Sequence, residues 1–377
     1  MANTYNKSPN WVSEAQDVAW GTLPTADNSS IGPDLVAWKH FQDLLQKSVT
    51  PGKLFSTTIV NTYSLVYTVG GAYQGGVLAL NGDIHFVPFA ANRGQKINAA
   101  GVVSTYSLIY TAAGFAYSGG VLARNGDIHF VPLSAPVGQK ISTSGIVSTY
   151  SLVYTGSTYR GGVLAPNGDI HFIPLSAPVG QKISATGVVS TYVLAFTTST
   201  AYSGGVLAPN GDIHFIPQNA PVGQKISVAG VVSTYPLIYT TTFAYYGGVL
   251  APNGDIHFVP NSARVGQKIS AAGVVSTYSL VYTAANSYYG GVLAPNGDIH
   301  FVPFTANRGQ KINATGVVST YALTYTTSSG AYVGGVLDQN GDIHMIPYES
   351  NVGQKISTLS AQPFDASIAR SPFFNKL

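Results

Sequence analysis

The sequence predicts an all-β protein, a closed seven-bladed β-propeller of four-stranded blades, and three observations carry that prediction. The string Asn-Gly-Asp-Ile-His occurs seven times, beginning at Asn81, Asn125, Asn167, Asn210, Asn253, Asn296 and Asn340, with spacings of 44, 42, 43, 43, 43 and 44 residues. Gly-Gly-Val-Leu and Gly-Gln-Lys-Ile recur in step with it, from Gly75 to Gly334 and from Gly94 to Gly353. A Thr-Tyr-x-Leu segment, centred on Tyr63 in its first copy and Tyr321 in its last, completes the unit. Four strand-like segments per ~43 residues is the blade unit of a propeller.

The chain divides into an N-terminal arm with an amphipathic helix (1–55), the propeller (56–357) and a C-terminal tail (358–377). Residues 1–30 show no period and read as an extended arm. Pro33 opens a helical stretch with Asp34 in its first turn, and Leu35, Trp38, Phe41, Leu44 and Leu45 follow near helical spacing. Trp11, Trp20, Trp38 and Phe41 are the expected anchor residues, since Trp is enriched at interface centres. The arm either anchors the propeller to a larger assembly or merely covers one of its faces.

Within each repeat, Ser-Thr-Tyr-Ser-Leu-Val-Tyr-Thr is rich in β-branched and aromatic residues and reads as a strand. Gly-Gly-Val-Leu-Ala, Pro-Asn-Gly and Asp-Ile-His-Phe-Val-Pro read as a hairpin whose turn is Asn-Gly, because both residues tolerate positive φ. Pro88 and its equivalents stop the second strand by removing a donor. Gly-Gln-Lys-Ile supplies the remaining strand. Gly-Gly-Val-Leu is placed innermost, because inner strands crowd the axis and glycine permits close approach. The repeats open with a Tyr strand and close with a Lys strand, so the last blade should combine three C-terminal strands with one N-terminal strand. A helical solenoid lacks the required 3.6-residue period here, and an open β-solenoid needs atypical terminal repeats.

Length varies only in the link from the Tyr strand to Gly-Gly, from five residues (Gly156 to Arg160) to seven (Ala112 to Ser118). Insertions in repeat proteins collect on one face, often the binding face. Phe115, Tyr117, Tyr159, Arg160, Phe243, Tyr245 and Tyr288 of these links are the candidate contact residues. The regular Tyr before each Gly-Gly has the plainer alternative of packing between blades. A second variable patch precedes each Gly-Gln-Lys, such as Phe89 to Arg93 and Tyr348 to Val352.

Charged residues make up only 9% of the chain and its net charge is +3. No basic stripe of the kind that binds nucleic acid is present, and no apolar run reaches the length of a membrane helix. Cysteine is absent, which excludes disulfides and thiolate metal sites. The recurring histidines, His85 through His344, are expected to be hydrogen-bonded between blades rather than to hold a metal. The recurring Asp and Lys, thirteen residues apart as in Asp83 and Lys96, suggest one ion pair or turn bond per blade. Outside the repeated Asp, residues 57–356 contain only Asp338 and Glu349 as acids. A catalytic constellation needs non-repeating groups, so no enzyme activity, catalytic residue, cofactor or metal is expected.

Gly-Gly-Val-Leu-Ala-Pro-Asn-Gly-Asp-Ile-His-Phe-Ile-Pro (161–174) resembles the GGVLAPNGKIYxIP repeat of propeller-type proteins from bacteria, algae and especially tailed phages. The C-terminal Ser-Pro-Phe-Phe-Asn-Lys-Leu (371–377) is similar to the SPYxNKF-like end found with it. This chain has Asp for Lys and His for Tyr in each unit, and Gly-Gln-Lys-Ile in place of Val-Ile-Asp-Pro. The resemblance implies a non-enzymatic virion structural or attachment protein, assembled in a host cytoplasm. It would be a rigid knob held by its arm to other proteins of a phage capsid, tail or fibre, with a host surface glycan or receptor as a further partner. The alternative is a multivalent carbohydrate-binding lectin, its sugar pockets lined by the tyrosines of the links.

Overall fold

The structure, a computed structural model, describes residues 58–111, 114–156, 158–327 and 329–358. These residues form twenty-eight strands and no helix. They are arranged as seven four-stranded antiparallel sheets, each meandering outward in chain order, as in β2 (Tyr73–Leu78), β3 (Ile84–Pro88), β4 (Gly94–Ile97) and β5 (Val103–Tyr106). The seventh sheet has the order β1-β28-β27-β26, so β1 (Ile59–Ser64) pairs with β28 (Val352–Ser357) and closes the ring, as the strand order of the repeats predicts.

Gly-Gly-Val-Leu is indeed the inner strand: β2 packs on β6 (Tyr117–Leu122) on one side and on β26 (Tyr332–Leu337) on the other. The first glycine of each pair makes that approach possible. A Cβ on Gly119, where φ is +81°, would lie 2.9 Å from the Cα of Gly161. A β-bulge between Tyr73 and Gly76, repeated in every blade, bends the inner strand at this point. Along the second strand every residue is buried: Ile84, His85, Phe86, Val87 and Pro88 all face protein. Phe86 and its equivalents pack with the wholly buried Tyr73 and its equivalents to form one core cluster per blade interface.

The Asn-Gly turn differs from expectation. Only Gly82 has positive φ (86°), and the Gly82 amide donates to the Ala79 carbonyl at 3.0 Å. Asn81 contributes its side chain instead: Oδ1 accepts from the Asp83 amide at 3.1 Å. This is a three-residue hairpin loop with a left-handed glycine rather than a two-residue turn. The β4–β5 turn is built the same way, with Gly101 donating to Asn98 at 2.8 Å. Both kinds of turn emerge on one side of the ring, the turn face. The β3–β4 connections and the links between blades emerge on the other, the loop face.

Two buried polar groups stitch each blade. Gln139, wholly buried, accepts from the amides of Ile109 and Tyr110 at 3.0 and 2.8 Å, which fixes the incoming link against the next blade. His129 shares a hydrogen bond with the Tyr150 hydroxyl at 3.3 Å. The pair spans strands of one blade, not two blades as expected. Tyr150 fits because Gly138 leaves room: a Cβ there would lie 2.1 Å from the ring. The expected ion pair is present in all seven blades, at 2.5 to 2.7 Å. With its lysine about a third exposed in six of them, it contributes roughly 0–1 kcal/mol.

Candidate functional site at the loop-face mouth

The residue after each strand-ending proline sits in a closed ring of backbone hydrogen bonds. Phe89 donates to Ala72 of its own blade and accepts from Ala116 of the next, at 2.8 and 2.7 Å. The same pattern passes through Leu133, Leu175, Gln218, Asn261, Phe304 and Tyr348, and returns to Gly71 of the first blade. The main chain around the loop-face mouth is therefore rigid and repeated, while the side chains on it are not. Phe89, Leu133 and Leu175 cluster with Tyr348 on one side. Arg160, Tyr246 and Tyr289, each the residue just before Gly-Gly in its blade, join them at the mouth.

These side chains form a continuous belt. Phe115 stacks on Phe89 at 4.8 Å, Phe89 meets Tyr348 at 5.9 Å, and Tyr348 meets Phe304 at 5.8 Å between ring centroids. Phe304–Tyr289 and Tyr289–Tyr246 both lie at 4.0 Å with tilts of 34° and 37°. Arg160 ends the belt, its guanidinium 5.2 Å from the Tyr246 ring centroid. Arg160 Nη1 donates to the Tyr246 hydroxyl at 2.7 Å and reaches Gln218 Oε1 at 3.5 Å. Its Nε is buried with no partner. Burial raises the Tyr289 hydroxyl well above the ordinary tyrosine pKa, with Tyr246 adding to the shift and Arg160 opposing it.

The structure divides the sequence-predicted contact residues. Phe115 and Phe243 are 58% and 44% exposed at link tips on the loop face. Both have positive φ, 58° and 53°, at a position where the first and last blades place Gly71 and Gly330. Holding a phenylalanine there costs ~1–3 kcal/mol. Arg160 lies in the mouth. Tyr117, Tyr159, Tyr245 and Tyr288 are wholly buried, and their hydroxyls donate to the carbonyls of Val137, Val179, Val265 and Arg308 at 3.0–3.1 Å. They pack between blades and offer nothing to a ligand. Counting back from Gly-Gly would have separated them from their neighbours: the regular Tyr stands two residues before Gly-Gly, and Tyr246 and Tyr289, one residue before it, are the ones that reach the mouth. The anchors Trp11, Trp20, Trp38 and Phe41, the N-terminal helix and the C-terminal tail lie outside the described residues.

On the turn face, two clefts between blades hold about 190 and 180 Å³. The first is walled by His171, Lys182 and Tyr192 against the turn Ser227–Gly230, residues that recur in every blade and are already paired. Burial, with the neighbouring lysine, pulls the His171 pKa down from 6.5 to about 4, so the ring is neutral near pH 7. The second cleft breaks the repeat. Asp338 stands where other blades have alanine, and its Oδ2 lies 3.2 Å from His344 Nε2. His344 Nδ1 meets the Tyr63 hydroxyl at 3.3 Å, so both ring nitrogens are engaged. The arrangement ties the N-terminal strand β1 to the last blade and leaves no free nitrogen to take a substrate proton. Among the described residues no cluster of three or more His, Cys, Asp or Glu is placed to hold a metal ion.

No family model and no curated protein matches the sequence. Solved structures do. A streptogramin B lyase superposes with a TM-score of 0.71 at 20% identity, over 81% of this chain and 99% of the other. The fold is virginiamycin B lyase-like. A catalytically inactive variant of virginiamycin B lyase from Staphylococcus aureus, solved with quinupristin, gives a TM-score of 0.71 at 18% identity, over 80% and 99%. The extracellular domain of a putative one-component system from B. thetaiotaomicron gives 0.61 at 10%, over 79% of this chain and 39% of its own.

These neighbours overturn two expectations. The virion structural role and its lectin alternative find no counterpart among them: they are lyases and the extracellular domain of a one-component system. The expectation of no enzyme activity also falls, since propellers of this size and shape include enzymes. That expectation discounted every repeated residue as equivalent to its copies. The ring makes copies unequal, because a single changed residue, such as Arg160 in the mouth, gives one blade chemistry the others lack.

Proposed function

We propose that the protein is a small-molecule-binding propeller whose ligand seats across the loop-face mouth. The observation that carries this reading is the contrast between frame and side chains. A closed, rigid ring of backbone hydrogen bonds presents seven positions, and those positions differ from blade to blade while the rest of the blade repeats. Rigid framing of variable side chains is the arrangement by which folds host binding sites. The aromatic belt gives a stepped apolar surface, and Phe115 packs against it from a strained backbone conformation. The turn-face clefts carry residues already committed to structural pairs, which disfavours them. Virginiamycin B lyase supports the reading, as a propeller of matching size solved with quinupristin.

The test is a fragment soak of crystals of the full chain with planar ring compounds. Density collecting at the mouth between Arg160, Tyr289 and Phe304 is the expected result. Fragments seated only in the inter-blade clefts, or nowhere, would overturn the proposal.

A further inference from the structure

We propose that the mouth selects an aromatic carboxylate, gripped by Arg160. The inference rests on the mouth being the ligand site and names the chemistry that site takes. Arg160 is the one charged residue among the seven that precede Gly-Gly; the others are Gln74, Ser118, Ser203, Tyr246, Tyr289 and Val333. The ion pairs of the described residues join Lys or His to Asp, and none includes Arg160. Its charge is therefore unneutralised by protein, although it sits half-buried against a tyrosine ring.

The hydrogen-bonding pattern is asymmetric in a useful way. Nη1 is engaged by Tyr246 and Gln218. Nε is buried without a partner, and Nη2 makes no hydrogen bond among the described residues. Nε and Nη2 share one edge of the planar guanidinium, and that edge presents two parallel N–H groups at the spacing of two carboxylate oxygens. A buried donor left without an acceptor is unfavourable, and a carboxylate at this edge satisfies it and the charge together. Tyr246, Tyr289 and Phe304 form a stepped stack at 4.0 Å spacings that begins at Nη1, so aromatic surface flanks the guanidinium that holds the acid. Glu349, next to Tyr348 and acting on its hydroxyl, would repel a second acidic group placed against that ring, so the ligand carries its charge at one end.

Isothermal titration of the full chain with 1-naphthoate, its neutral isostere 1-naphthamide, and inorganic phosphate tests this. Naphthoate should bind at least tenfold more tightly than naphthamide, and phosphate, which lacks the ring, should bind more weakly than naphthoate. Arg160→Gln should cost naphthoate tenfold or more, a larger loss than it causes for naphthamide, and Arg160→Lys, a charge without the fork, should recover only part of the loss. Equal affinity for acid and amide in the wild-type protein, or naphthoate binding insensitive to Arg160→Gln, overturns the inference. The wild-type comparison decides the matter even where a variant fails to fold. If naphthamide binds as well as naphthoate and Tyr289→Ala abolishes both, the mouth remains the site and only its acid selectivity is wrong. If no ring compound binds, both readings fall.

Discussion

Acid should unfold this propeller at a pH where most proteins are still stable, and the histidines of the repeat set the magnitude. Burial, with the adjacent lysine, pulls His85, His129, His171, His214, His257 and His300 from 6.5 down to about 4 in the folded state. Because the folded pKa lies below the unfolded one, the stability these rings contribute is complete above pH 6.5. It is lost as the pH falls towards 4. At pH 5 an unfolded ring is almost fully protonated and a folded one is mostly neutral, so unfolding takes up about five protons from the six rings. That corresponds to a slope of roughly 7 kcal/mol per pH unit, and to about 11 kcal/mol lost between neutral pH and pH 5. A domain's entire stability is typically about 5–15 kcal/mol. Unfolding should therefore set in near pH 5, before the carboxylates titrate. Guanidinium melts across pH 4.5 to 7.5, followed by far-UV circular dichroism, give the slope and hence the proton count. His129→Gln, which keeps an acceptor for Tyr150 and cannot titrate, should lower the count by about one. An uptake of fewer than about two protons, or a folded protein at pH 4, would refute the reasoning.

Three further outcomes follow from the same structure. Gln139→Ala leaves the partly buried amides of Ile109 and Tyr110 without their acceptor, and should cost about 1–3 kcal/mol by denaturant melt. Gly119→Ala places a Cβ 2.9 Å from Gly161 at a φ of +81°, and should lower stability by more than ~1 kcal/mol and displace the inner strand, visible as altered amide exchange in β6 and β10 (Tyr159–Leu164). Asp338→Ala removes the carboxylate that opposes the downward shift of His344, so its pKa, followed by NMR, should fall towards the value of about 4 shared by its six copies. An unchanged His344 titration would show that the 3.2 Å contact does not govern it.

The sequence alone determined the architecture of this protein. Seven copies of one unit, each with a turn glycine, a close-approach glycine pair and a strand-ending proline, specify blade number, strand order and the closing strand, because these are local demands on the backbone that repeat at one period. It also located both variable patches. What it did not resolve is which member of a variable patch faces outwards. Tyr245 and Tyr246 are adjacent, and a bulge between Tyr245 and Gly248 together with the alternation of a strand sends one into the core and the other to the axis. Tyr246, Tyr289, Phe304 and Gln218 join Arg160 only when the ring closes, since they come from different blades far apart in the chain. The same holds for Asp338 and His344 against Tyr63, whose strand returns from the other end of the chain to complete the last blade. Tertiary closure alone decided the site: identical repeats become different surfaces once each is surrounded by neighbours that are not identical.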